Sequence, residues 1–159
     1  MIQRKQSIYL ALVIMLSIVL FIPELAPFAF VHSGSSNQSD MVLNLTGITT
    51  NAAEIVQPPS FQGLLFLNVL VILFTFYAIF RYTKRPVQIK LCYVTSIFVA
   101  LLMGGMWLFT DVMKLKVADA HAVYLLGFYF PLIQLVLLFM AATAIQKDEN
   151  LVRSSDRLR

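Results

Sequence analysis

The sequence predicts an all-α membrane protein: a four-transmembrane-helix bundle with both termini cytoplasmic and a cytoplasmic C-terminal helical extension. Three observations predict it. The first is composition. Of the 159 residues 59% are apolar and only 13% are charged, against about 45–50% and about 25% in soluble domains, and the mean hydropathy is +0.80. The second is a set of four apolar runs, each near the roughly 20 residues that cross a bilayer core as a helix. The third is the placement of the cations. Arg4 and Lys5 precede the first run, Arg81, Lys84, Arg85 and Lys90 lie between the second and third, and Lys147, Arg153, Arg157 and Arg159 follow the fourth. Only Lys114 and Lys116 fall elsewhere, and this bias marks the cytoplasmic flanks.

The first span is expected over residues 8–28. In hydrocarbon every backbone N–H and C=O must find its partner within the segment, so an apolar run of this length is a helix. The polar/apolar alternation of a transmembrane barrel is absent. Pro23 removes the hydrogen bond to the carbonyl of Val19, so the helix is expected to kink or end there. The stretch from Ile8 to Ile22 reaches about 22 Å, short of a core of roughly 30 Å, so the segment from Pro23 to Phe28 is expected to finish the crossing. Glu24 then sits at the outer interface, where a carboxylate needs no transport role. A cleaved signal peptide fits poorly, because the run is longer than a signal's apolar region.

The outer loop, residues 29–60, carries no Lys or Arg and is rich in Ser, Asn, Thr and Gly. Alternation over residues 41–49 suggests a short hairpin. The triplets Asn37-Gln38-Ser39 and Asn44-Leu45-Thr46 have the glycosylation form, which such a loop produces readily by chance.

The second span, 61–80, carries Asn68 and Thr75 on one face. The third, 91–109, has Ser96, Ala100 and Gly104 every four residues, a stripe of small side chains that admits a neighbouring helix closely. The fourth, 122–145, repeats Gly127, Gln134 and Ala141 every seven residues, with Pro131 bending the helix just beyond Gly127. These six residues are the expected packing faces of the bundle. Gln134 is the most central polar side chain, and its amide is expected to bond a facing helix for about 0.6–2 kcal/mol; contact with a quinone or substrate is the sharper alternative. The tail, residues 146–159, continues the helix, with Glu149 four residues before Arg153. Arg85, Lys90, Arg153, Arg157 and Arg159 are the candidate cytoplasmic docking or lipid contacts, each worth about 1 kcal/mol against anionic headgroups. Tyr9, Tyr82 and Tyr93 at one set of span ends, and Phe61 and Trp107 at the other, mark the interfaces.

The same residues exclude several kinds of chemistry. Cys92 is the lone cysteine, so there is no internal disulfide and no thiolate cluster. His32 and His121 both fall on the outer side without a third ligand at defined spacing, so no metal or haem is expected. No phosphate-binding glycine motif, Ser-His-Asp constellation or HExxH pair appears in the sequence, and neither catalytic residues nor cofactors are expected. The net charge of +4 joins a basic cytoplasmic face to an acidic outer one carrying Glu24, Asp40, Glu54, Asp111 and Asp119, so it does not point to nucleic acid.

Three segments carry a resemblance: Met1-Ile2-Gln3-Arg4 with Gln6-Ser7 and Tyr9-Leu10; the central Arg85-Pro86-Val87-Gln88-Ile89-Lys90-Leu91-Cys92; and Gly127 and Pro131 with Lys147-Asp148-Glu149, Leu151-Val152-Arg153-Ser154 and Asp156-Arg157-Leu158-Arg159. Together they resemble the domain-of-unknown-function family DUF4293, small four-span inner-membrane proteins of Bacteroidetes. The resemblance implies the inner membrane of a Gram-negative cell and a periplasmic outer loop, and brings no activity or catalytic residue. The expected function is a non-enzymatic accessory or assembly subunit that binds other membrane proteins or a second copy of itself. The alternative is a small oligomeric transporter or channel, for which Glu24, Asn68, Thr75, Thr95 and Gln134 are the only polar candidates. An intramembrane enzyme has the least support.

Overall fold

Buried residues recur at alternating spacings of four and three along every long helix: Gln6, Leu10, Val13, Ser17 and Leu20; Leu64, Asn68, Val71, Thr75 and Ala78; Gln88, Cys92, Thr95, Val99, Leu102, Met106 and Phe109; and Gly127, Pro131, Gln134, Leu138, Ala141, Ile145 and Asp148. That spacing is the seam of a helical bundle in which side chains interlock as knobs and holes. The computed structural model describes residues 3–22, 28–32, 41–45, 47–49, 55–56, 59–82, 84–116 and 120–156. Its elements are α1 (Gln3–Val19), β1 (Phe28–His32), β2 (Met41–Asn44), β3 (Gly47–Thr49), β4 (Ile55–Val56), α2 (Pro59–Phe80), α3 (Arg85–Lys116), β5 (Ala120–Tyr124), a 3-10 turn (Leu126–Tyr129) and α4 (Phe130–Asp156). Each helix packs against the next in the chain and α4 closes on α1, an up-down-up-down ring.

Three of the helices are long and apolar enough to cross a membrane, over Gln62–Phe80, Arg85–Val112 and Leu126–Val152. The first helix is shorter than the expected span. It ends at Val19, after which Phe21 and Ile22 bond to Ile18 and Val19 in a tightened last turn. The reason is local, since a residue that precedes proline is driven out of the helical region and Ile22 precedes Pro23. The 17 residues of α1 cover about 25 Å. Pro23 itself, with Glu24, lies outside the described residues.

The four-helix expectation stands with a sheet added to it, because the segment between α1 and α2 folds. Five short strands form one antiparallel sheet in the order β4-β3-β2-β1-β5. The expected hairpin is β2 and β3, with Asn44 opposite Gly47. Residues 120–124, expected in part as the start of span four, pair instead with β1 from Phe28 opposite Tyr124 to His32 opposite Ala120. An apolar run of this kind suits a strand or a helix, and a distant partner strand decides between them. The pairing straps the end of α1 to the start of α4. The opposite end is helical as expected, with α4 running on to Asp156.

The core divides into two apolar clusters. One, toward the sheet, joins Leu20, Leu64, Leu102, Met106 and Phe109 with Leu45. The other, toward the chain ends, joins Leu10, Val13, Val71, Ala78, Cys92, Val99, Leu138, Ala141, Ala142 and Ile145. Leu45 is the first residue of the hairpin turn, is 2% exposed, and plugs the sheet end of the bundle. Aromatic pairs seal the flanks, with Phe74 of α2 stacked on Phe98 of α3 at 5.3 Å and Tyr93 edge-on to Phe139 at 6.5 Å.

Candidate functional site

Between the two apolar clusters lies a layer of polar side chains. Ser17, Asn68 and Gln134 are each fully buried there, contributed by α1, α2 and α4. Asn68 Nδ2 donates to the backbone carbonyl of Ser17 at 3.0 Å. Gln134 Nε2 donates to Ser17 Oγ at 2.9 Å and makes a longer contact of 3.4 Å to the Val13 carbonyl. Every bond of the layer therefore ends on α1, the shortest of the four helices. The two amides also leave something over. Asn68 Oδ1 and Gln134 Oε1 are buried with no hydrogen-bond partner. The seam threonines do not fill that need, because their hydroxyls donate within their own helices: Thr75 to Val71, Thr95 to Leu91 and Thr110 to Met106, at 2.7–2.9 Å.

A second polar group closes the end of the bundle away from the sheet. Gln6 Nε2 donates to Asp148 Oδ2, and Arg85 Nη1 donates to the Asp148 backbone carbonyl at 2.9 Å. Asp148, 6% exposed, thus ties α1, α3 and α4 together. Nearby, Arg81 lies over the Tyr77 ring at 5.4 Å and donates from Nε to its hydroxyl at 3.0 Å, which fixes a cation at the foot of α2.

The residues expected to pack the bundle divide into two sets. Gly127, Gln134 and Ala141 are buried in the seam. Ser96 is half-buried, with its hydroxyl bonded to the Tyr93 carbonyl, and Ala100 and Gly104 are exposed. The stripe of three is a real face of α3, but Ser96 and Ala100 are each offset by one position from the seam residues Thr95 and Val99, Gly104 falls midway between Leu102 and Met106, and the stripe points out of the bundle. Ala100 and Gly104 line a shallow groove of about 490 Å³ with Met103, Trp107, Phe128 and Leu135. A smaller groove of about 370 Å³ runs between α2 and α3 past Gly63, Leu64 and Gly105. Of the candidate cations, Arg85 is held at Asp148 as described and Lys90 is exposed. Arg153 belongs to α4, and Arg157 and Arg159 lie outside the described residues.

The glycine that brings two helices together is Gly105, the neighbour of the expected one. A Cβ built there would fall 2.6 Å from Leu64 Cδ2, whereas one on Gly104 would meet nothing within 4 Å. Gly105→Leu is expected to push α2 from α3 and lower stability by about 1–3 kcal/mol, while Gly104→Leu stays within about 0.5 kcal/mol of the wild type. Thermal unfolding of the two variants in one detergent checks the difference. Sequence reasoning also passed over Ser17, Gln6 and Asp148. The spacing that links Gln6, Leu10, Val13, Ser17 and Leu20 would have found the first two, had polar residues been counted as seam members.

None of the curated proteins compared with the chain matches it. A family model does: the domain of unknown function DUF4293 covers residues 2–158. A match over nearly the whole chain takes in all four helices and the polar layer between them, and the chain belongs to that family.

Proposed function

We propose that the chain is a non-enzymatic accessory or assembly subunit of a bacterial inner membrane that docks another membrane protein along its α3–α4 face. One observation carries the reading: the small residues Ala100 and Gly104 face away from the bundle and line an apolar groove edged by Trp107 and Phe128. Small residues let a second helix approach closely enough for van der Waals packing, the main attraction available in lipid. The cation bias supports a multi-pass topology with both termini cytoplasmic. Arg85, Lys90, Arg153, Arg157 and Arg159 would then meet anionic headgroups or a cytoplasmic segment of the partner, while the sheet faces the periplasm. The family resemblance supports an origin in Bacteroidetes. Extraction in mild detergents followed by mass spectrometry should recover a second membrane protein, or a second copy, with the wild type and lose it with Gly104→Leu. A lone wild-type monomer from every extraction overturns the reading.

The transporter or channel alternative draws on Asn68 and Gln134. Apolar clusters stand on both sides of these amides along the seam, and the seam threonines bond within their own helices, so a polar route to either end is not lined. Unchanged flux in Gln134→Leu and Asn68→Leu would end that alternative.

A further inference from the structure

We propose that the layer formed by Ser17, Asn68 and Gln134 is a binding site for a small neutral hydrogen-bond donor, and that the donor is water held within the bundle. Asn68 Oδ1 and Gln134 Oε1 are buried acceptors without partners, on side chains that are fully buried. Their orientation is set by the other half of each amide. Asn68 Nδ2 faces the Ser17 carbonyl at 3.0 Å and Gln134 Nε2 faces Ser17 Oγ at 2.9 Å. Turning the Asn68 amide over would aim Oδ1 at the Ser17 carbonyl oxygen, and turning the Gln134 amide over would aim Oε1 at the Val13 carbonyl oxygen, neither of which can donate, so each orphan is an acceptor and the ligand must donate. Ser17 Oγ accepts the hydrogen of Gln134, which leaves its own hydroxyl hydrogen to give. The layer thus presents two acceptors and one donor, the complement of water, which typically makes about three bonds where it is buried.

A monovalent cation is the other ligand that amide oxygens take, and the charge around the layer disfavours it. Among the described residues the acidic member of the seam is Asp148, which lies on α4 fourteen residues beyond Gln134, roughly 21 Å along a helix. Without an anion beside it, an ion in this layer would be desolvated with nothing to compensate it. A neutral donor meets the unpaired acceptors without that penalty. It also gives the layer a mechanical role. All the direct bonds converge on Val13 and Ser17 of α1, so water is the element that completes the attachment of α2 and α4 to this short helix.

The experiment is a structure of the full chain in lipid nanodiscs, at a resolution that shows ordered waters, prepared once in sodium chloride and once in choline chloride. Density within about 2.5–3.0 Å of Asn68 Oδ1 or Gln134 Oε1, the same in both salts, is the expected result. Density lost in choline chloride would make the ligand sodium and overturn the proposal. Two amide oxygens without density nearby would overturn it as well. In solution, exchange of magnetisation between water and the Asn68 and Gln134 side-chain NH2 groups should be seen by NMR in the wild type. The Asn68 signal should fall severalfold in Gln134→Leu, a variant that keeps Asn68 and its bond to Ser17. Absence of the wild-type signal counts against the proposal whether or not the variant folds.

Discussion

Gln134→Glu is expected to be the most damaging single change in the seam, lowering stability by about 3–5 kcal/mol, because it leaves a buried charge without compensation. The amide now donates to Ser17 Oγ and approaches the Val13 carbonyl. A carboxylate has no hydrogen to offer either, and it would set a negative charge against two oxygens. Gln134→Leu should cost less, about 1–3 kcal/mol, since it removes the donor without adding charge. Both changes act on α1 first, because the lost bonds are those that hold it. Thermal unfolding in a fixed detergent gives the order, and cleavage of α1 by added protease should rise before that of α3. Equal stability of Gln134→Glu and the wild type would mean that the layer is open to solvent.

Leu45→Ala is the second large effect, about 2–5 kcal/mol, and it should appear in a different place. Leu45 is the point at which the hairpin turn enters the bundle, packed with Leu20, Leu64, Leu102, Met106 and Phe109. Removing its side chain leaves a cavity under the sheet while the cluster around Leu138 and Ile145 is untouched. Proteolysis of the segment between β1 and α2 should therefore accelerate before helical content falls. Leu138→Ala, in the other cluster, should instead lower the melting of the helices themselves by a similar amount. If both variants melted as the wild type does and were cleaved at its rate, neither cluster would be a core.

The expected result for Leu45 could not have been written from the residues around it. Leu45 lies within the expected hairpin, between Asn44 and Thr46, and the alternation there does not say what covers its side chain. Its burial depends on where β1 and β5 place the sheet over the helices. The same holds for β5 itself. Ala120–Tyr124 is apolar enough to be read as the start of a span, and only its ladder with β1 makes it a strand. The stripe of Ser96, Ala100 and Gly104 shows the converse limit. Its spacing is right for a packing face, but two or three faces of an apolar helix can satisfy the same pattern, and the neighbours decide which one turns inward.

Local physics therefore determined a good deal of this protein. Length, apolarity and the absence of water partners for the backbone dictate helices at 62–80, 85–112 and 126–152. Pro23 ends the first helix early, and the Gln134 amide was recognisable as the central polar group. The tertiary structure alone decided which glycine lets α2 and α3 meet, which polar residues share a layer, and which small residues remain outside the seam. The reason is that in a chain this apolar, hydrophobicity no longer distinguishes the inside of the bundle from the surface that lipid would cover. What separates them is shape and hydrogen-bond pairing between helices, and both arise only when Ser17, Asn68 and Gln134 are brought together from opposite ends of the sequence.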